Sequence, residues 1–170
     1  MVSLRLHERW AWLCLGLLAG ISIASIWPHE PVAASSADRN QKFAMITTPC
    51  GAGNEAVFVL DFLTGRLTGA CVGRTKSGST DFINFYARNV AEDFKVAGGN
   101  EPYYAISGGL AEIQGRGGAQ WGGSAVYVAE LNSGGVIAYA MPYRVSQTPL
   151  PAVPLVILGQ FPFRAQNVQQ

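Results

Sequence analysis

The chain has 170 residues with 12 basic and 11 acidic side chains, and its net charge of +1 is scattered, which excludes a basic footprint for nucleic acid. Hydrophobic residues make up 49% and charged residues only 14%, so one rather apolar domain plus a separate N-terminal segment is expected. Both histidines, His7 and His29, flank that N-terminal segment, which removes Ser-His-Asp and Cys-His catalysis and ordinary zinc sites from the rest of the chain.

Residues 10–27 (WAWLCLGLLAGISIASIW) carry no charge. As a helix they would rise roughly 27 Å, at the short end of a membrane span. The predicted organisation is therefore a transmembrane signal anchor over 1–27, a linker over 28–41, an exported β-rich domain over 42–163 and a tail over 164–170. Arg5 and Arg9 precede the apolar run, which places the N-terminus in the cytoplasm and the domain on the periplasmic side of the cell inner membrane. A cleaved signal peptide is the alternative, since Ser22-Ile23-Ala24 has the small-x-small form of a cleavage site. Trp10 and Trp27 at the two ends favour the retained anchor. The linker, PHEPVAASSADRNQ, is small and polar and has no periodicity.

Residues 42–48 (KFAMITT) are rich in β-formers and stop at Pro49. Residues 56–62 place apolar side chains on both faces, as in a central strand covered on both sides. A three-residue turn, Leu63-Thr64-Gly65, leads into a return strand over 66–72, with Gly65 supplying the left-handed position and Asp61 accepting turn N–H groups. Over 79–96 the period changes. Ile83, Tyr86/Ala87, Val90 and Phe94 recur every three to four residues and Gly98-Gly99 follow, which predicts an amphipathic helix covering the sheet. A strand over 81–86 competes with it. Glu92 and Asp93, neighbours on that helix, are expected to point apart into solvent.

Residues 102–107 (PYYAIS) read as another opening strand, and residues 108–123 (GGLAEIQGRGGAQWGG) as a mobile loop with seven glycines. That loop has neither the strand-to-helix context nor the Gly-Lys-Ser/Thr ending of a phosphate cradle. It carries Arg116, Gln120 and Trp121, the expected contacts to a partner. Residues 124–141 form a second hairpin, and residues 155–163 (LVILGQFPF) an edge strand, because Pro162 cannot sit centrally.

Residues 55–72 and 124–141 align without gaps, with Ala56/Ala125, Val57/Val126, Val59/Val128 and Gly65/Gly134 identical and Asp61/Glu130 conservative. This reads as a duplicated hairpin. The fold class is thus β-rich α+β: an antiparallel sheet from two copies of a strand-plus-hairpin unit, with one amphipathic helix between them. The two copies either share one sheet or pack face to face.

The pattern V-F-V-L-D-x-x-T-G-R-L over 57–67 resembles the blade repeat of quinoprotein-type β-propellers. A propeller needs at least four blades, and no quinone or calcium ligands of that family can be placed here. A broader resemblance covers nearly the whole domain. Residues 43–45, 55–65, Tyr86, Asn89-Val90, Asp93-Phe94, 103–109, 124–141 and 162–164 are similar to a family of uncharacterised, N-terminally anchored planctomycete proteins. The resemblance implies a shared fold and an exported location and carries no activity.

Cys50 and Cys71 are the two cysteines of the domain. A three-stranded meander puts both at the same end with a strand between them, roughly 10 Å across, so a disulfide needs the Cys50 loop to fold over. Two independent thiols are the alternative. The expectation is a non-enzymatic module without cofactor, catalytic residue or metal, with the membrane and an envelope protein as partners, no nucleic acid, and a homodimer through apolar sheet edges. A small-ligand or carbohydrate-binding module using Trp121, Tyr103 and Tyr104 is the second reading. An enzyme whose site forms on oligomerisation is the third.

Overall fold

The computed structural model describes residues 12, 14–18, 37–40, 42–96, 102–113 and 120–164. The chain divides into two compact units, Met1–Val32 and Ala33–Gln170. In the first, Trp12 and residues 14–18 are helical, and Cys14 is a free, exposed thiol. Among the described residues no helix is long and apolar enough to cross a membrane. The expected transmembrane anchor and the single-pass inner-membrane location are corrected accordingly. The remainder of 10–27, with the signal-peptide alternative, lies outside the described residues.

Among the described residues the second unit is built from ten strands. They are β1 (Ala37–Arg39), β2 (Phe43–Pro49), β3 (Glu55–Asp61), β4 (Arg66–Arg74), β5 (Thr80–Asn89), β6 (Tyr104–Leu110), β7 (Trp121–Glu130), β8 (Gly135–Pro142), β9 (Val153–Pro154) and β10 (Val156–Pro162), with one helical turn α1 (Val90–Asp93) after β5. They form two sheets, one ordered β1-β2-β3-β4-β5-β9 and the other β10-β8-β7-β6. All pairings are antiparallel except the short parallel pair β5–β9. The first hairpin therefore lies in one sheet and the second hairpin in the other, rather than in a shared sheet.

Alternation explains the inner faces. In β3, Ala56, Phe58 and Leu60 are buried while Val57 and Val59 on the other face are only half-buried. The strand is central, but its outer face is not covered as expected. Its inward residues join Ile46, Leu67 and Tyr86 of the same sheet against Tyr104, Val126, Val128, Ile137 and Tyr139 of the other, giving one continuous core. The rings of Phe58 and Tyr86 stack with centroids 5.6 Å apart. Burial of this kind contributes roughly 25 cal/mol per Å² and is the main term holding the sheets together.

The predicted amphipathic helix over 79–96 is a strand for most of its length. Cys71 pairs with Asn84 and Val72 with Phe82, which leaves Ile83 as an extra residue on β5. This β-bulge turns Ile83 inward beside Asn84 and resets the alternation, so Ile83 and Tyr86 both reach the core at a spacing of three. Val90, the first residue of α1, is buried too. A bulge followed by one true helical turn thus imitates a helical period. The aromatic and β-branched content of 82–86 favours the strand.

Polar contacts fasten the sheets at three places. The Thr48 hydroxyl donates to the Ser124 hydroxyl at 2.9 Å, and Ser124 in turn donates to the Pro49 carbonyl; both side chains are fully buried. Nearby, a Cβ on Gly108 would lie 2.6 Å from the Thr48 Cβ, so this crossing of β2 and β6 needs glycine. Asn84 makes two bonds with the Arg144 main chain, 3.0 and 3.1 Å long. Arg88 holds Asp93 through two hydrogen bonds, at 2.8 and 2.5 Å, and Tyr139 of the opposite sheet donates to the same carboxylate at 2.9 Å. Asp93 therefore faces inward and not, as expected, into solvent. The chain crosses between sheets at buried Leu155, whose carbonyl also accepts from Arg88 at 3.3 Å.

The core tyrosines differ in what their hydroxyls do. That of Tyr139 has a charged acceptor, whereas that of Tyr86 is buried with no hydrogen-bond partner. Tyr139→Phe should lower the unfolding free energy by about 1–3 kcal/mol, while Tyr86→Phe should leave it unchanged or raise it. Urea denaturation of the two variants checks the contrast.

Candidate functional site

Cys50 and Cys71 are joined by a disulfide, with their Cα atoms 6.5 Å apart. A single 3-10 turn, Gly51–Gly53, makes this reach feasible. It closes through bonds from the Cys50 N–H to the Asn54 carbonyl and from the Asn54 N–H to the Gly51 carbonyl, and it swings Cys50 over β3 toward Cys71, which pairs with Ala56. Cys71 is fully buried and Cys50 nearly so, and both belong to the core. The bridge is thus a fastening of the first sheet.

The glycine-rich stretch is less of a loop than expected. Gly108 and Gly109 belong to β6, and β7 begins at Trp121, with the Ala111 N–H donating to the Gly123 carbonyl. Arg116 lies outside the described residues. Gln120 is exposed, and its carbonyl accepts the Tyr143 N–H. Trp121 pairs with Pro142 across the hairpin and is partly buried, with its indole nitrogen enclosed. Of the expected contact residues, Gln120 and Trp121 thus sit at the start of β7 and not within residues 114–119, which lie outside the described residues. Of Trp121, Tyr103 and Tyr104, the last is fully buried in the core, and Tyr103 lines a cleft.

That cleft, of about 1050 Å³, opens where the β1–β2 bend meets the two hairpin turns. Its lining includes Arg39, Lys42 and Phe43 from the bend, Asp61, Phe62 and Leu63 from the first turn, and Tyr103 and Asn132 from the second half. Each turn has four residues, one more than expected, since Asp61 pairs with Arg66 and Glu130 with Gly135. Gly65 and Gly134 close the turns at φ +65° and +75°, a region where a Cβ is costly. The Asp61 carboxylate accepts the Leu63 and Thr64 N–H groups at 2.9 and 3.4 Å. Its pKa is lowered chiefly by the hydrogen bond from the Thr64 side chain.

Glu130, almost fully buried, does more. It accepts the N–H groups of Asn132, Ser133 and Tyr103 at 3.1, 2.6 and 3.2 Å, so it braces its own turn and fixes the strand entering β6. Burial acts to raise its pKa, but the bonds from Ser133, Asn132 and Tyr103 outweigh it and hold the carboxyl below its ordinary value. The rim is completed by the Phe62 N–H on the Lys42 carbonyl and the Leu131 N–H on the Tyr103 carbonyl. Above it the Arg39 guanidinium lies over the rings of Tyr103 and Phe62. Arg39 falls inside the predicted linker and was missed there. The local signal was Asn40, whose side-chain oxygen accepts the N–H groups of Lys42 and Phe43 and makes a turn where a tether was expected.

A second surface is the edge of the smaller sheet. Every residue of β10 is exposed, and β8 is its one neighbouring strand among the described residues. Ile157, Leu158 and Phe161 present apolar side chains there, with Phe163 beyond the end. A register shift between Ile157 and Gly159 bends the strand.

No protein-family model, curated protein or solved structure matches this chain.

Two outcomes follow for the fastenings. Replacing both Cys50 and Cys71 by Ala should cost about 3 kcal/mol, the loop-closure entropy for cysteines 21 residues apart, as read by thermal unfolding against the parent. Glu130→Gln should lose about 1–3 kcal/mol near neutral pH. Because the folded pKa is depressed, the parent's advantage is present above the ordinary carboxyl pKa of about 4.3 and lost as pH falls through the folded value. Denaturation of parent and variant between pH 7 and pH 3 should therefore show converging stabilities.

Proposed function

We propose that the β-rich unit is a non-catalytic protein-interaction module that pairs through the free edge of β10. The carrying observation is an edge strand with every residue exposed and no charge anywhere in residues 155–163. Edge strands are usually blunted by lysine, short length or a covering segment, because their free N–H and C=O groups template another strand. Here the blunting features are Pro162 at the end and the bend near Gly159, and Leu158 at the bend and Phe161 beyond it remain 46% and 58% exposed. A second copy of the chain is the occupant that this strand fits directly, since antiparallel pairing of like edges is self-complementary about a two-fold axis. The absence of charge within the strand removes the repulsion that would oppose such a pair.

The half-buried Arg88–Asp93 pair and the buried Glu130 support the non-catalytic part of the reading. Arg88 and Asp93 are spent on each other and on Tyr139, and Glu130 on its turn. We read the two hairpin-bearing halves, with their matching turn glycines, as products of an ancestral duplication that supplied both sheets.

Light scattering on the full chain should show a dimer whose population rises with concentration, and amide exchange over 156–162 should slow in parallel. Leu158→Lys should shift the population to monomer without altering the far-ultraviolet circular dichroism. A parent protein that stays monomeric at hundreds of micromolar, or a lysine variant that still dimerises, would sink the homotypic reading.

A further inference from the structure

The described lining of the cleft between the bend and the two turns carries two cations, Arg39 and Lys42, and one acid, Asp61. Among the described residues the one ion pair is that of Arg88 with Asp93, and none joins Arg39 or Lys42 to a described acid. The Arg39 guanidinium carbon lies 4.4 Å from the centre of the Tyr103 ring and 5.1 Å from that of Phe62. Aromatic contacts of this kind engage the π-face of a guanidinium and leave its N–H donors, which lie in its plane, free at the edge. No hydrogen bond from those donors to another described group is present. The side chain is thus positioned by two rings while its binding groups stay open, which lowers the ordering cost of capturing a ligand.

The shape of that donor fork matches the two oxygens of a carboxylate. Charge limits the choice further. Arg39 and Lys42 stand against one acid, Asp61, which keeps its charge, leaving one net positive charge on the lining. A single negative charge is complementary to that; a dianion would meet Asp61 repulsion with too little to offset it. The rest of the exposed lining combines the apolar Phe43, Leu63 and Tyr103 with the polar Asn40 and Asn132. A cleft of about 1050 Å³ is of the size that accepts a small molecule.

We propose that this cleft binds a small monocarboxylate with an aromatic or branched apolar body, its carboxylate on the Arg39 fork and Lys42 and its body against Phe43 and Tyr103. The site is independent of the β10 edge. It draws its residues from the opposite sheet and from the second turn, and none from β10.

The full chain is titrated with N-acetyl-phenylalanine and with its neutral amide, N-acetyl-phenylalaninamide, and followed by calorimetry and by amide shifts at Phe43, Leu63 and Tyr103. The acid should bind and shift those amides, and the amide should bind about tenfold more weakly or less, the loss expected for one charge-assisted bidentate contact. Arg39→Gln should weaken the acid by about tenfold with an unchanged melting temperature, Arg39→Lys should fall between, and Leu158→Lys should bind as the parent does. Equal binding of acid and amide, an Arg39→Gln variant that binds the acid undiminished, or no amide shift at the cleft with the acid at millimolar concentration would each overturn the proposal. The comparison of acid with amide on the parent protein needs no variant to fold.

Discussion

The constraint on which this structure depends is that two small sheets, each apolar on one face, must cover one another. Neither is stable alone in water, since each would expose the side that carries Phe58, Leu60 and Tyr86 in one case and Val126, Val128 and Tyr139 in the other. The approach is close where β2 crosses β6, and there the chain uses glycine at 108 and a buried hydroxyl pair, Thr48 and Ser124. A larger residue would hold the sheets apart. An apolar pair would leave the Pro49 carbonyl without the Ser124 hydroxyl it accepts.

Everything peripheral follows from that packing. Asp93 reaches Tyr139 because α1 follows β5 directly at the margin of the first sheet. The chain can change sheets at Leu155 because that side chain fills the gap and its carbonyl is taken by Arg88. The turns gather at one end because both hairpins run the same way, and the cleft is the space left between them. Polar groups are therefore concentrated at the rims of the core, where they fix orientation, while apolar burial supplies the stabilisation.

The two candidate surfaces differ in kind. The β10 edge offers main-chain hydrogen bonds along a strand without charge, a surface whose specificity would come from register and symmetry. The cleft offers one oriented guanidinium above an aromatic floor, where specificity comes from charge and shape. They lie in different parts of the fold, so occupation of one does not block the other through shared residues.

What the sequence by itself determined is local. The strand propensities, the stop at Pro49, the turn glycines at 65 and 134 and the edge position imposed by Pro162 each rest on the backbone chemistry of a few adjacent residues, and these are legible without a fold. Residues 83–90 were misread because a β-bulge and a helical turn together reproduce the spacing of a helix, and a bulge is fixed by the partner strand, which periodicity does not contain. The cleft was hidden for the same reason. Arg39 and Tyr103 are 64 positions apart, and only the pairing of β1 with β2 and the hold of Glu130 on the Tyr103 N–H bring them together. The inward turn of Asp93 was equally a tertiary decision, because the acceptor it offers to Tyr139 exists only once the second sheet has closed over the first.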